Sequence, residues 1–472
     1  MKFRCLKMML ACCFLSASWA QGSEADTKYN FLFIFVDDQG WGGTSVPMLR
    51  GNDASRTPAY RMPNLEKVAS HGMVFSQAYA GHPKCECSRA SLLMGRTTTS
   101  LNATEKNSRR WNAPVTDSLA NTLKRADSSY AAAHFGKWQW PQTPESMGFD
   151  ASDGITMNED GDSNDPEDPK QSFGITRRAM DYMNKNVKQG KPFYLQLSYY
   201  AVHSQPQALA STLKKYQGAE VKKQPAGKQG RGNSPIQAAM TEDLDTCIGK
   251  LLGGLEELGI TDRTYVIYMS DNGMGSRLLK GGKTILDEGG IRVPLIVKGP
   301  GVASGVYSQT PVAGYDIFAT VLDLVSPSTQ LPAGVEGGSW KPLFKDGTGR
   351  VSRSIDRMVW HHDVEVEHPQ TALRKGNYKL LHYWDTKQDF LYDLSNDMGE
   401  TKNLAEAKPE LVASLFGEMK EHVRKGLGDA RYGMLESGKI VGSARGGLGK
   451  EQQKKGNRDA AKKKARPKNA MQ

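Results

Sequence analysis

The chain has 472 residues, enough for one large α/β domain and a smaller companion. Its formal net charge of +11 sits at the two ends: residues 441–472 carry ten Lys/Arg against two Asp/Glu, and residues 1–20 carry three basic residues and no acid. Residues 21–440 hold 49 charges of each sign, which excludes a basic nucleic-acid-binding body, and no segment after the first 20 residues is apolar enough to anchor in a membrane.

The first 20 residues, "MKFRCLKMMLACCFLSASWA", have a basic start, about a dozen apolar residues and a small-x-small end at Ser18-Trp19-Ala20. They read as a secretory signal peptide, too short to span a bilayer. A lipoprotein-type cleavage before Cys12 fits poorly with Met9 and Leu10. The expected protein is exported, to the periplasm or outside the cell. Cleavage removes Cys5, Cys12 and Cys13 and leaves Cys85, Cys87 and Cys247, too few for a disulfide framework. Cys247 lies among Ile236, Met240, Leu244, Ile248, Leu251 and Leu255, which recur at helical spacing, so it reads as core.

Along residues 21–345, apolar strand-like runs end abruptly in polar groups. "FLFIFV" runs into Asp37-Asp38, "YAAAHFG" into Lys137, "PFYLQLSYYAV" into His203, and "TYVIYMS" into Asp271-Asn272. Amphipathic helical patterns separate these runs. The alternation predicts an α/β fold with a mostly parallel central sheet flanked by helices, whose ligands bind at the carboxyl ends of the strands. From about residue 346 to 440 the texture changes. "TALRKGNYKLLHYW" and "DFLYDL" read as short antiparallel strands, and "PELVASLFGEMKEHVRKG" as a closing helix, a smaller α+β subdomain. Residues 441–472 are polar, basic and without periodicity, the composition of a disordered tail.

Asp37, Asp38, Asp271 and Asn272 are an oxygen-only set that suits calcium or magnesium rather than zinc; each pair also suits a helix-capping turn. In "HPKCECSRASLLMGR", Cys85 and Cys87 stand one residue apart. They admit three readings: a nucleophile with an inert neighbour, a metal clip, or a tight, strained disulfide.

Taken together, the blocks resemble the type I sulfatases of the alkaline phosphatase-like superfamily. "CECSRASLLMGR" is similar to that family's signature, in which Cys-x-Pro-x-Arg precedes a helix. "FIFVDDQGWGGTS", "MPNLEKVASHGMVFSQAYA", "HFGKWQW", "LSYYAVHSQPQ", "SDNG", "LKGGKTILDEGGIRVPLIVKGPG" and "LYDLSNDMGETKNLA" follow the other family blocks in order. The resemblance covers nearly all of residues 28–425.

The resemblance implies a hydrolase of sulfate monoesters. In this family a maturation enzyme oxidises the cysteine to formylglycine, whose hydrate attacks sulfur beside a divalent cation and then releases sulfate by regenerating the aldehyde. Matching positions make Cys85 the formylglycine precursor, with Asp37, Asp38, Asp271 and Asn272 joining it around calcium. Arg89 would hold the hydrate and cation site, Lys137 and Lys283 would neutralise sulfate oxygens, and His203 would serve the leaving group's proton. Trp360, His361 and His362 in "WHHDVE" could reach a sugar sulfate from the subdomain, with a buried Trp and surface histidines as the alternative.

Two residues depart from the family pattern. Cys87 stands at the proline of the signature, and Gln139 at the histidine two residues after the lysine. Glutamine can hydrogen-bond a sulfate oxygen but moves no proton. The expected function is an exported, calcium-dependent sulfatase acting on a sulfated small molecule or glycan. Rivals are a phosphate or phosphonate monoester hydrolase of the same superfamily and a silent sulfated-glycan binder.

Overall fold

The computed structural model describes residues 28–103, 111–217, 234–364 and 366–440; the expected signal peptide and basic tail lie outside the described residues. The large unit contains β1 (Asn30–Val36), β2 (Met73–Phe75), β3 (Ala78–Tyr79), β4 (Ala131–Gly136), β5 (Ala151–Ser152), β6 (Phe193–Ser198) and β7 (Thr264–Ser270). Three short strands complete it: β8 (Leu295–Lys298), β9 (Val306–Ser308) and β10 (Val312–Ala313). Eight of these form one sheet in the order β5-β4-β6-β1-β7-β8-β2-β9, and β10 pairs with β3 beside it. All pairs in the large sheet are parallel except those of β8 with β7 and β2.

The centre of this sheet follows from the composition of β1. Alternate side chains point to opposite faces, so Phe31, Phe33 and Phe35 enter one core while Leu32, Ile34 and Val36 enter the other. A strand that is apolar on both faces is stable only with helices above and below it. The helix Pro235–Glu257 covers one face through Met240, Leu244, Cys247, Ile248, Leu251 and Leu255, and Cys247 is fully buried there. Fully burying side chains of this size contributes roughly 1.5–3 kcal/mol each, which makes the sheet a rigid base for its edge residues.

The second sheet is antiparallel: β11 (Met358–His362), β12 (Gln370–Lys375), β13 (Tyr378–Tyr383) and β14 (Gln388–Asp393), in that order. The helix Pro409–Leu427 packs on one face, Met419 and Val423 meeting Leu373, Leu380 and Leu391. The other face meets the large unit through Trp360, Ala372 and Leu381 against Tyr79 and Ile291. The expected α/β architecture with a C-terminal α+β unit is what the chain adopts.

Two elements differ from expectation. The run before His203 stops pairing as a strand at Ser198, because the next segment turns across β1: Asp37 N–H donates to the Ala201 carbonyl (3.0 Å) and Val202 N–H to the Asp37 carbonyl (2.7 Å). "WHHDVE" begins as edge strand β11, and Trp360, His361 and His362 are all fully buried, not surface residues. No described helix is long and apolar enough to cross a membrane.

Candidate active site

Adjacent parallel strands deliver their last residues to one rim. β1 ends in Asp37-Asp38, β7 in Asp271-Asn272 and β4 in Lys137, and the turn after β6 carries His203. Helix α1 (Pro63–Ser70) leads through β2 and β3 to α2 (Cys85–Met94), whose first residue is Cys85. Gly136 (φ +96°) lets β4 close against β6, since a Cβ there would lie 2.1 Å from the Ser198 carbonyl oxygen; the same approach lets Lys137 N–H donate to that oxygen at 2.8 Å. Asp38 adopts a left-handed conformation (φ +59°) that a non-glycine residue rarely takes, with its N–H donating to Asp271 Oδ1 at 3.1 Å.

The charged side chains interlock. Arg89, one turn into α2, donates to Asp271 Oδ2 (2.7 Å) and to the Lys137 carbonyl (3.1 Å), and lies over the Phe35 ring. Lys137 Nζ contacts Asp37 Oδ2, and Lys283 Nζ lies 2.5 Å from Asp38 Oδ1. Asn272 Nδ2 donates to Asp38 Oδ1 at 2.9 Å. The Lys283 loop is pinned to the cysteine segment by Thr284 N–H donating to the Pro83 carbonyl (3.0 Å). His203 Nε2 is 3.7 Å from Asp38 Oδ2. Every catalytic and metal residue read from the sequence is therefore within this one buried rim.

Burial raises the Asp37 carboxyl, but Lys137 and further cations around it outweigh that and hold it below the usual carboxylate range. Asp271 moves the other way: burial and the Asp37 charge push it up to about 7 against Arg89. Burial lowers His203 to about 4, leaving its ring neutral near pH 7. Burial raises the Cys85 thiol, so the unmodified cysteine is a poor thiolate.

Two buried oxygens, Asp37 Oδ1 and Asn272 Oδ1, have no hydrogen-bond partner among the described residues. Asp37, Cys85 and Asp271 each offer one ligand atom within 4.8 Å of the others. Buried, unsatisfied oxygen donors that converge in this way fit a hard divalent cation.

Cys85 and Cys87 are free thiols at positions i and i+2 of α2, which point to different sides of a helix. That arrangement is neither a disulfide nor a clip. Cys85 Sγ instead lies 3.4 Å from Glu86 Oε2, and Glu86 pairs with Lys84 at 3.2 Å. The sequence reading missed both, although their adjacency to Cys85 was the available signal. Gln139 Nε2 donates to Asn158 Oδ1 (3.1 Å). His361 is engaged away from the rim, by Thr371 Oγ1 (2.7 Å) and Asp363 (3.3 Å), while His362 packs edge-on against His82.

Residues 29–327 match the family described as Sulfatase, and residues 282–426 match the C-terminal region of N-sulphoglucosamine sulphohydrolase. The chain belongs to the sulfatase family. It is 28% identical to bovine (Bos taurus) arylsulfatase A, over 86% of this chain and 89% of that protein. Against N-acetylgalactosamine-6-sulfatase of Mus musculus it is 24% identical, over 78% and 75%. Two solved structures share the fold. One is BT4656 in complex with its substrate D-glucosamine-2-N,6-O-disulfate (TM-score 0.65, 17% identity, 86% of this chain and 99% of that one). The other is the phosphonate monoester hydrolase SpPMH from Silicibacter pomeroyi (0.66, 18%, 84% and 96%). This sulfatase is a hydrolase of sulfate esters built on the alkaline phosphatase-like fold.

Proposed function

We propose that the protein is an exported sulfatase that removes sulfate from a sulfated carbohydrate, using formylglycine made from Cys85 by a maturation enzyme and a calcium ion at Asp37, Asp38, Asp271 and Asn272. The observation that carries this reading is the convergence of Cys85, Asp37 and Asp271 at a helix N-terminus, ringed by Arg89, Lys137 and Lys283. The sugar class rests on relatives whose substrates are amino-sugar sulfates.

The cation would supply Lewis-acid stabilisation of oxygen and a lowered pKa for a bound hydroxyl. The formylglycine hydrate would supply a hydroxyl nucleophile together with a second hydroxyl through which sulfate can leave. The chain's own residues do the rest. Lys137 and Lys283 bring positive charge to the negatively charged sulfate oxygens. Arg89 holds Asp271 in place and spaces it from Asp37. His203, carried on a turn bonded to Asp37, would serve the departing alcohol oxygen only after taking up a proton, because burial keeps its ring neutral near pH 7. Gln139 hydrogen-bonds but transfers no proton, which places the acid–base burden on His203.

The test is desulfation of a panel of defined sulfated saccharides by protein coexpressed with a maturation enzyme. Sulfate release from at least one saccharide is expected; none from any, with residue 85 converted, would sink the reading. The likeness to a phosphonate monoester hydrolase favours a second reading, hydrolysis of phosphate or phosphonate monoesters. Parallel rates on aryl sulfate and aryl phosphate separate the two.

A further inference from the structure

A cleft of about 520 Å³ opens where the edge of the large sheet meets the antiparallel sheet, a volume typical of sites for sugar-sized ligands. It shares no lining residue with the catalytic rim. Four arginines line it, Arg350, Arg353, Arg357 and Arg374, against one acid, Asp356. Two of the four are fixed wall. Arg353 is clamped on Asp316 (2.8 and 2.5 Å), and Arg374 donates to Tyr79 Oη, Gln77 Oε1 and the Gly376 carbonyl. The other two keep donors uncommitted. Arg350 is exposed and has no ion-pair partner among the described residues. Arg357 meets Asp356 and Glu418 only at 3.6 and 3.5 Å, and its buried Nε has no hydrogen-bond partner among the described residues. Tyr307 also borders the cleft, its ring covered by Arg50 at 5.0 Å.

We infer that this cleft is an accessory site that holds a sulfate-bearing segment of an acidic polysaccharide while another segment of the same polymer occupies the catalytic rim. Guanidinium groups match planar or tetrahedral oxyanions with paired donors. The placement supports one polymer in both sites. β9 runs parallel to β1, so Gln309–Pro311 leave the sheet at the same carboxyl edge as Asp37, four strands away, or roughly 19 Å at a spacing of about 4.8 Å. Along β11, Met358 borders the cleft and His362 packs on His82, three residues before Cys85, a run of roughly 13 Å.

This inference rests on the sulfated-carbohydrate reading, and its test separates the two. The full chain carrying Cys85→Ala is titrated with a defined sulfated oligosaccharide, the unsulfated oligosaccharide of equal length, and inorganic sulfate. Arg350→Glu with Arg357→Gln is expected to weaken binding of the sulfated oligosaccharide at least about fivefold. In the matured enzyme the same pair raises KM on the polymer and leaves kcat and KM on a small aryl sulfate unchanged. Arg350→Glu alone, at an exposed position, gives the same direction if the double variant folds poorly. The basic tail is common to all variants and cancels. Unchanged affinity and unchanged polymer KM overturn the inference. Equal binding of inorganic sulfate and oligosaccharide also overturns it, because the cleft is then a free-anion site. If matured wild type fails on aryl sulfate while arginine-dependent glycan binding persists, the catalytic reading falls and the cleft stands.

Discussion

Among the several places where the described residues bury charge, two contrast most clearly. At the seam between the sheets, Lys379 lies fully buried between Glu288 (3.1 Å) and Glu400 (2.8 Å). Tyr79 Oη donates to Glu288 (2.8 Å), Arg292 lies 3.3 Å from it, and the Glu288 N–H donates to Glu400 Oε2 (2.7 Å). These partners come from both units, so the cluster is a latch. The proposed catalytic rim is built otherwise: carboxylates crowd together, Asp38 adopts an unfavourable backbone conformation, and Asp37 Oδ1 and Asn272 Oδ1 are buried with no hydrogen-bond partner among the described residues. The latch meets each of its carboxylates with a cation from the protein, Lys379 or Arg292. A site that handles an anion and a cation leaves donors and acceptors for them, and the surrounding sheet bears the cost.

The sharpest way to break the comparison is at the proposed nucleophile precursor. Cys85→Ala should reduce turnover to background while the melting temperature stays within a few degrees, because the side chain lost is small. In active wild type, mass spectrometry of the tryptic peptide Cys85–Arg89 should find an aldehyde at residue 85. Turnover with an intact thiol there would refute the formylglycine mechanism.

Asp271→Ala should also eliminate activity, and with it the rise in melting temperature on adding calcium, since a ligand bound only by the native state stabilises it by mass action. A calcium-dependent shift that survives the substitution would place the cation elsewhere. At the seam the expected loss is of stability instead: Lys379→Met leaves buried Glu400 without its cation and Glu288 with Arg292 alone, at a cost of about 3–5 kcal/mol by chemical denaturation.

The pH response should distinguish the latch further. Burial raises Glu400 from 4.5 to about 7 against the pull of Lys379, so the folded protein holds this proton more tightly than the unfolded chain does. Its contribution is therefore complete below about pH 4.5 and is lost as pH rises toward 7. Melting temperatures measured across that window should decline less steeply in Glu400→Gln; an identical slope would remove Glu400 from the latch.

The smallest effect is expected at Cys87. It is the third residue of α2, where the backbone N–H has no intrahelical partner, so Cys87→Pro should change stability by no more than about 1 kcal/mol and should keep or improve conversion of Cys85. Comparing the converted fraction in the two proteins by mass spectrometry checks this.

Much of this was legible in the residues. Two-faced apolar runs such as "FLFIFV" and "TYVIYMS" announce central strands because burial on both faces leaves no polar alternation, and their polar endpoints mark the rim of a parallel sheet. The residue types at that rim limit its chemistry, since oxygen donors select hard cations and arginine and lysine select oxyanions. Tertiary structure decided what spacing alone does not encode. Strand order brings residue 37 beside residue 271, and the turn after Ser198 binds the Asp37 backbone, which carries His203 inward. Packing against Tyr79 and Ala80 buries Trp360, and the histidines after it, that sequence alone left between cleft and surface. The seam latch and the arginine cleft were illegible for the same reason: their members lie up to about 300 residues apart, and a charge in a sequence carries no mark of whether its partner will arrive from a distant element.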